Sequence, residues 1–365
     1  MASKIKPPVS LRQQTAKPIM GRGATGNPAN RYHAHSRQDF DDGWGSLDQP
    51  APALKTTLTV DNSRRVISYN DSPDLPFDRS LNPYRGCEHG CIYCYARPSH
   101  SWLGHSPGLE FESLLYYKPD VVDCLRRELA AKKYTCAPLM IGAITDAYQP
   151  VERSLGLTRR IIELLSECRH PLSIVTKSAL VERDIDLLAD MAGDQLAEVC
   201  ISITTLQKDL ARKLEPRAAA PHRRLKTIEN LARAGIPTRV LVSPLIPVLT
   251  DPELEQILQA ARDAGASGAR STLLRLPLEV APMFSDWLQV HVPDQARRVL
   301  ARIRDTRGGK LYDADFAQRM SGSGHYAGLL AQRFESGLLV GVDRESDLLH
   351  LLDGRCDPYV DLAIL

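Results

Sequence analysis

The chain has 365 residues, and 43% of them are hydrophobic, which is enough for a full globular core and excludes a generically disordered protein. Lys and Arg total 46 against 44 Asp and Glu, so the net charge of +2 gives no global attraction to a polyanion. The first 20 residues lack the apolar stretch of a signal peptide, and no later run of about 18 apolar residues predicts a membrane span, so we expect a cytoplasmic protein.

Three regions follow one another along the chain. Residues 1–55 mix Gly, Pro, Asn, Arg and Asp, as in GRGATGNPANRYHAHSRQDFDDGWG, and predict a flexible N-terminal extension, either mobile or wrapped over the domain surface. Residues 56–290 carry the predicted core, which begins with short lead-in strands in TTLTV and RRVISY. Residues 291–365 are predicted to form a C-terminal cover segment.

Between about residues 110 and 275, short runs rich in β-branched residues alternate with longer amphipathic segments. The strands are predicted at residues 137–145, 172–176, 196–204, 237–245 and 269–276. The helices between them are predicted in KPDVVDCLRRELAAK, TRRIIELLSEC, RDIDLLADMA, HRRLKTIENLARAG and DPELEQILQAARDAG. This alternation is typical of βα units around a parallel sheet. Five strands plus one before the cysteine motif predict an α/β fold, a partial (βα)6 TIM-like barrel, because a closed barrel needs eight units.

The segment NPYRGCEHGCIYCYARPSH contains the spacing C-x-x-x-C-x-x-C in a loop that also carries Gly86 and Gly90. The number of cysteines in this motif is informative. A cubane cluster has four irons, so three thiolate ligands leave one iron open to a small molecule. We therefore predict that Cys87, Cys91 and Cys94 hold a [4Fe–4S] cluster.

The alternative for the same cysteines is a structural zinc ion with His89, His100 or His105 as the fourth ligand. Zinc sites usually have a second, distant pair of cysteines, and this chain lacks such a pair. The other cysteines are expected in the core and not in a disulfide framework, namely those at positions 124, 136, 168, 200 and 356. The competing functional hypothesis is a non-catalytic protein that binds an iron–sulfur cluster or zinc for structure or regulation.

The pattern C-x-x-x-C-x-aromatic-C, with Tyr93 as the aromatic residue, resembles the defining motif of the radical S-adenosylmethionine (radical SAM) superfamily. Several short sequence segments within about residues 80–290 resemble those of the photolyase-like branch that includes spore photoproduct lyase. These segments are TDAYQPVE, VTKS, LEPR, GIPTRVLVSPLIP and LLRLP. Within that branch the chain most closely resembles a bacterial group with no assigned substrate.

The resemblance implies a [4Fe–4S] cluster and S-adenosyl-L-methionine as cofactors. In such enzymes the open iron binds the amino and carboxylate groups of S-adenosylmethionine, and one-electron reduction yields a 5′-deoxyadenosyl radical that abstracts hydrogen from the substrate. It also implies an electron donor such as flavodoxin or ferredoxin and no membrane partner. The expected substrate class is a macromolecule, either a nucleic acid or a peptide.

The predicted cofactor contacts lie beside the cysteines and at strand ends, because the C-terminal ends of barrel strands surround the active site. The resemblance implies S-adenosylmethionine contacts at Tyr93, Thr145, Asp146, Lys177, Ser202 and Thr204. Lys177 is expected to pair with the methionine carboxylate. Asp146 is expected either to accept from the ammonium group or to brace its loop. No catalytic side chain is assigned.

One departure from the lyase pattern bears on the substrate. Spore photoproduct lyases carry a cysteine hydrogen donor at the end of the second strand, whereas this chain has Ala143 there, which counts against repair of DNA photoproducts. Basic stretches in residues 212–226 and 297–307 are a weaker hint of phosphate binding, because acidic residues interrupt them.

Overall fold

The computed structural model describes residues 19–33 and 54–338. In this part of the chain the strands are β1 (Thr57–Val60), β2 (Ile67–Tyr69), β3 (Arg79–Leu81), β4 (Tyr84–Arg85), β5 (Leu114–Tyr117), β6 (Leu139–Ile141), β7 (Leu172–Thr176), β8 (Ala197–Ser202), β9 (Thr238–Leu245) and β10 (Gly268–Leu273). The helices are α1 (Leu109–Ser113), α2 (Val121–Leu129), α3 (Glu152–Leu155), α4 (Leu157–Glu167), α5 (Ile185–Gly193), α6 (Lys208–Leu214), α7 (Pro221–Arg233), α8 (Leu254–Asp263), α9 (Val280–His291), α10 (Pro293–Asp305) and α11 (Gly324–Leu338).

A seven-stranded sheet forms the core, in the order β10-β9-β8-β7-β6-β3-β2. Six of these strands, β3 and β6 to β10, run parallel, and β2 pairs antiparallel with β3 at one edge. The predicted six βα strands are therefore confirmed, in consecutive order, as is the mixed α/β class. A second sheet of three strands has the order β1-β5-β4.

The helices cover one face of the large sheet, and the strand residues alternate between this outer face and an inner face. Outward side chains such as Ile174, Val199 and Val240 are fully buried in the main apolar core. The strand predicted over residues 137–145 is shorter, Leu139–Ile141, because Gly142 turns the chain at φ +91. The residues after this turn form a loop at the carboxyl end of the sheet.

A buried polar group lies on the inner face, near the amino ends of the strands. The Arg239 Nε donates to Glu198 Oε2 at 2.9 Å, and the Ser173 hydroxyl donates to Glu198 Oε1 at 2.8 Å. Glu198 and Arg239 are only 6% and 5% exposed, so the buried Glu198 charge depends on Arg239 for compensation.

Two segments outside the sheet pack on different parts of the fold. Residues 19–33, which fall within the predicted extension, pack on the loop that carries the cysteines. The last described helix, α11, packs on α8, where Arg333 pairs with Glu255 at 2.7 Å. The predicted domain boundaries at residues 55 and 290 stay predictions, and residues 1–18, 34–53 and 339–365 lie outside the described residues. No described helix has the length and apolar character needed to cross a membrane.

The cysteines outside the motif mostly follow the expectation of core positions. Cys124 and Cys200 are buried free thiols, and Cys168 is a half-buried free thiol. Cys136 is disulfide-bonded, a bond that the core interpretation did not predict. Position 356 lies outside the described residues.

We predict that Arg239→Met lowers the free energy of unfolding by about 3–5 kcal/mol, because it leaves the Glu198 carboxylate buried without its cation. The double variant Glu198→Leu/Arg239→Met removes both charges and is expected to recover much of that loss. Urea unfolding followed by circular dichroism measures both values. Equal losses in the single and double variants would contradict the assignment of the cost to an unpaired charge.

Candidate active site around the cysteine loop

The cysteine loop, residues 86–96, runs from the end of β4 to a short 3-10 helix, Arg97–Leu103. Gly86 and Gly90 adopt φ +77 and +67 within it. At Gly86 a Cβ would lie 2.6 Å from a Leu115 methyl group and 2.8 Å from the Phe111 carbonyl oxygen, so only glycine fits this turn.

All three cysteines of the loop are free thiols. Cys87 and Cys91 are 8% and 9% exposed, and Cys94 is half-buried. Burial raises the pKa of all three thiols, and that of Cys91 to about 12. A cationic metal centre is therefore needed to hold them as thiolates.

Arg97 fixes the carbonyl groups of the loop. Its Nε donates to the Cys91 oxygen at 2.9 Å, and its Nη2 donates to the Gly90 oxygen at 3.1 Å. Its charge is met by Glu112 at 2.5 Å, and both side chains are completely buried. Gln149, also fully buried, accepts from the Glu88 amide at 2.8 Å. The loop therefore has a defined shape supplied by the protein.

Asp146 braces the loop that follows β6. Its Oδ1 accepts from the Thr176 hydroxyl at 2.7 Å, and its Oδ2 accepts from the Lys177 amide at 2.7 Å. The same Oδ2 lies 3.1 Å from His89 Nδ1. Burial by itself raises the pKa of this carboxyl, but His89 and the hydrogen bonds outweigh it and lower the pKa to about 2. Both carboxylate oxygens of Asp146 therefore accept hydrogen bonds from the protein.

A second buried group connects the loop to β8. The Thr204 hydroxyl donates to Glu215 at 2.7 Å, and the Tyr93 hydroxyl also donates to Glu215. Arg224 forms a buried ion pair with the same carboxylate. Although burial raises the pKa of Glu215, the charges of Arg224 and Lys177 outweigh it, so the pKa falls to about 2 and the group is ionised at neutral pH. The Lys177 Nζ lies 6.0 Å from the centroid of the Tyr93 ring.

The other two predicted contacts are buried near this group. Ser202 ends β8, where its carbonyl oxygen accepts from Arg224 Nη1 at 2.9 Å. Thr145 lies in the turn after β6 and donates to the Tyr84 oxygen at 3.3 Å. The structure thus brings Tyr93, Lys177 and Thr204 into one group, while the Thr145 hydroxyl faces the backbone of β4.

Sequence reasoning did not single out Glu215, which is central to this group. Glu215 lies within the segment LEPR, one of the segments on which the family resemblance rests, so the resemblance could have identified it. Arg97 stands within the segment NPYRGCEHGCIYCYARPSH, Arg224 lies in a basic stretch, and Glu112 has no signal in the sequence. Which of these charges pair with each other becomes evident only in three dimensions.

Two of the three histidines considered as zinc ligands contact other groups. His100 Nε2 contacts the Leu114 oxygen at 2.8 Å, and His105 Nε2 contacts the Tyr116 hydroxyl at 2.6 Å. His89 Nδ1 lies 3.1 Å from Asp146 Oδ2 without forming a hydrogen bond. Among the described residues, no three His, Cys, Asp or Glu side chains converge as around a single metal ion. Three thiols on one buried loop fit a cluster, in which each cysteine binds a different iron.

Residues 81–261 match the Radical SAM superfamily. The chain is a member of this superfamily. Uncharacterized proteins of Mycobacterium bovis and Mycobacterium tuberculosis are 35% identical to it over 226 residues, which are 61% of this chain and 66% of each relative. An uncharacterized protein of Methanocaldococcus jannaschii is 31% identical over 173 residues, 47% of this chain and 62% of that protein. The chain thus spans just under two thirds of the length of these relatives.

Solved structures of spore photoproduct lyase share the fold of this radical SAM protein. The lyase complexed with dinucleoside spore photoproduct has a TM-score of 0.52 and 16% identity, with coverage of 78% of this chain and 79% of the lyase chain. A lyase mutant with bound AdoMet and dinucleoside spore photoproduct has a TM-score of 0.52, 15% identity and the same coverage. The predicted resemblance is confirmed, and the superfamily implies S-adenosylmethionine and an iron–sulfur cluster as cofactors.

We predict that Asp146→Asn destabilises the metal-free protein by about 1.5–3 kcal/mol, because an amide nitrogen in place of Oδ2 cannot accept from the Lys177 amide. Asp190→Asn, an exposed position within α5, serves as the control and is expected to leave stability unchanged. Thermal unfolding of the metal-free proteins measures the difference. Unchanged stability in Asp146→Asn would favour the alternative role as a direct cofactor contact.

Proposed function

We propose that this protein is a radical SAM enzyme that binds a [4Fe–4S] cluster through Cys87, Cys91 and Cys94. It uses S-adenosylmethionine to abstract a hydrogen atom from its substrate. The observation that carries this proposal is the set of three free thiols on one glycine-turned loop, held by Arg97 and Gln149 inside the matched superfamily domain.

When bound, the cluster and S-adenosylmethionine supply an electron and the 5′-deoxyadenosyl radical. The residues of this chain bind, orient and shield these groups. The Lys177 ammonium group, 6.0 Å from the centroid of the Tyr93 ring, is assigned to the methionine carboxylate. Ser202, which ends β8, is assigned to the carboxylate or the ribose hydroxyls.

The other predicted contacts are assigned positioning roles. Tyr93 and Thr204 hold the Glu215 carboxylate, and Glu215 fixes them in return. Asp146 fixes the Lys177 amide, and Thr145 fixes the turn after β6. With these assignments, preorganised polar side chains surround the cofactor. Preorganised side chains of this kind orient a bound cofactor.

The substrate class is proposed to be a peptide or a nucleic acid, without a general affinity for polyanions. Much of the first basic stretch is neutralised within the fold, since Arg217 pairs with Glu88 at 3.0 Å and Arg223 with Glu182 at 2.5 Å. Arg224 is buried. The charges therefore give little support to a nucleic-acid groove in this region.

The proposal is tested by anaerobic reconstitution with iron and sulfide, followed by dithionite and S-adenosylmethionine. Dithionite stands in for an electron donor such as flavodoxin or ferredoxin. We expect the wild type to form 5′-deoxyadenosine, detected by chromatography, and Cys91→Ala to form none because it lacks one of three cluster ligands.

Cys168→Ala is the matched control, since it removes a half-buried free thiol away from the loop. It should retain both iron and 5′-deoxyadenosine formation. A wild-type protein that takes up zinc and refuses iron would overturn the proposal in favour of the structural metal site. A loaded, reduced cluster without 5′-deoxyadenosine formation, also in the presence of candidate peptides and oligonucleotides, would overturn the catalytic role.

Photoproduct repair gives a separate prediction. The wild type is expected to leave dinucleoside spore photoproduct unconverted, because Ala143 provides no thiol hydrogen at the end of β6. Chromatography after incubation with the reconstituted protein measures the conversion. Release of the repaired dinucleoside would show that another group donates the hydrogen.

A further inference from the structure

Residues 19–33, here called the strap, cross directly over the cysteine loop. The two backbones approach so closely at Gly23 that a Cβ there would lie 1.7 Å from the Gly90 carbonyl oxygen and 3.3 Å from the Ile92 amide nitrogen. No side chain fits between them. The strap and the loop are therefore in backbone-to-backbone contact next to Cys91.

One carboxylate joins the strap to the loop. Glu112 Oε2 accepts from the Gly23 amide at 3.0 Å, and its Oε1 accepts from the Ala24 amide at 2.8 Å. The same Oε1 accepts from Arg97, which also holds the Gly90 and Cys91 carbonyl groups. Opening the loop at this point would leave a buried carboxylate and its backbone donors without partners, which is costly.

Apolar packing and further anchors hold the rest of the strap. Ala24 is 1% exposed and belongs to the same apolar cluster as Cys91 and Tyr93. Beyond it, the Asn30 side chain donates to the Ser101 and His105 oxygens at 3.0 and 2.9 Å. Before the crossing, the Arg22 Nη1 donates to the Glu112 carbonyl oxygen at 2.6 Å. The strap is therefore anchored on both sides of Gly23.

We propose that the strap retains the iron–sulfur cluster, with Gly23 and Glu112 as positioning residues that keep the Gly90–Cys91 peptide closed. A cluster leaves its site only when the thiolate ligands move apart, and the strap opposes this movement from outside the loop. The inference rests on the proposed function in one respect, namely that a cluster occupies the loop.

The test compares two glycine variants of the strap. In Gly23→Ala the new methyl group meets the Gly90 oxygen, whereas at Gly26 a Cβ meets nothing within 4 Å. Both proteins are reconstituted anaerobically and exposed to a ferrous chelator, and cluster loss is followed by its visible absorbance and by iron content. We expect Gly23→Ala to lose its cluster about 10- to 100-fold faster than the wild type, as for other supporting partners of metal ligands. Gly26→Ala should match the wild type.

Glu112→Gln provides the second variant, because it keeps the side-chain shape and replaces one acceptor oxygen with a donor. It is expected to accelerate cluster loss in the same way, and thermal unfolding of each metal-free variant shows whether the fold is intact. If Gly23→Ala does not fold, the rate of cluster loss from Glu112→Gln tests the proposal. Cluster loss at the wild-type rate in the folded variants would overturn the proposal that the strap retains the cluster. A wild-type protein that never takes up iron would instead overturn the proposed function.

Discussion

The buried ion pair between Arg97 and Glu112 determines the form of the site. Both side chains are fully buried, and an unpaired charge in such a place would be strongly destabilising. All five N–H groups of Arg97 have acceptors, which are Glu112 and the carbonyl groups of Gly90, Cys91, Pro107 and Gly108. The hydrogen bonds of Arg97 form only when the cysteine loop is folded around this ion pair. The ion pair therefore stabilises the loop conformation that carries the cysteines.

A second buried pair, Glu215 with Arg224, plays the equivalent part on the barrel side. It binds the Tyr93 hydroxyl and so connects the loop to the end of β8 and to α7. The cysteine loop therefore lies between two ion pairs, one shared with the strap and one shared with the barrel. A site built in this way is organised before any cofactor arrives, so less ordering is needed when the cofactor binds.

The scaffold resembles that of spore photoproduct lyase in fold. The sequence resemblance predicts Ala143 at the position of the lyase cysteine, and in the structure the Tyr95 hydroxyl donates to the Ala143 carbonyl group. Near Tyr95, the Arg275 guanidinium lies 5.0 Å from the ring centroid. A shared fold supports many reactions through such local replacements, and so the fold by itself does not assign the substrate.

The sequence alone determined the features that depend on near neighbours. The cysteine spacing predicted a metal site on the cysteine loop, and the alternation of β-branched and amphipathic runs predicted the parallel strands, because both signals arise within a few residues. Only the tertiary structure decided that Gly23 meets Gly90, that Glu112 closes this contact, and that Arg224 is a buried partner of Glu215 rather than a phosphate-binding residue. The contacts of Gly23 join positions far apart in the chain, whereas Glu215 and Arg224 are only nine positions apart. All of these contacts depend on burial, which a local sequence pattern does not reveal.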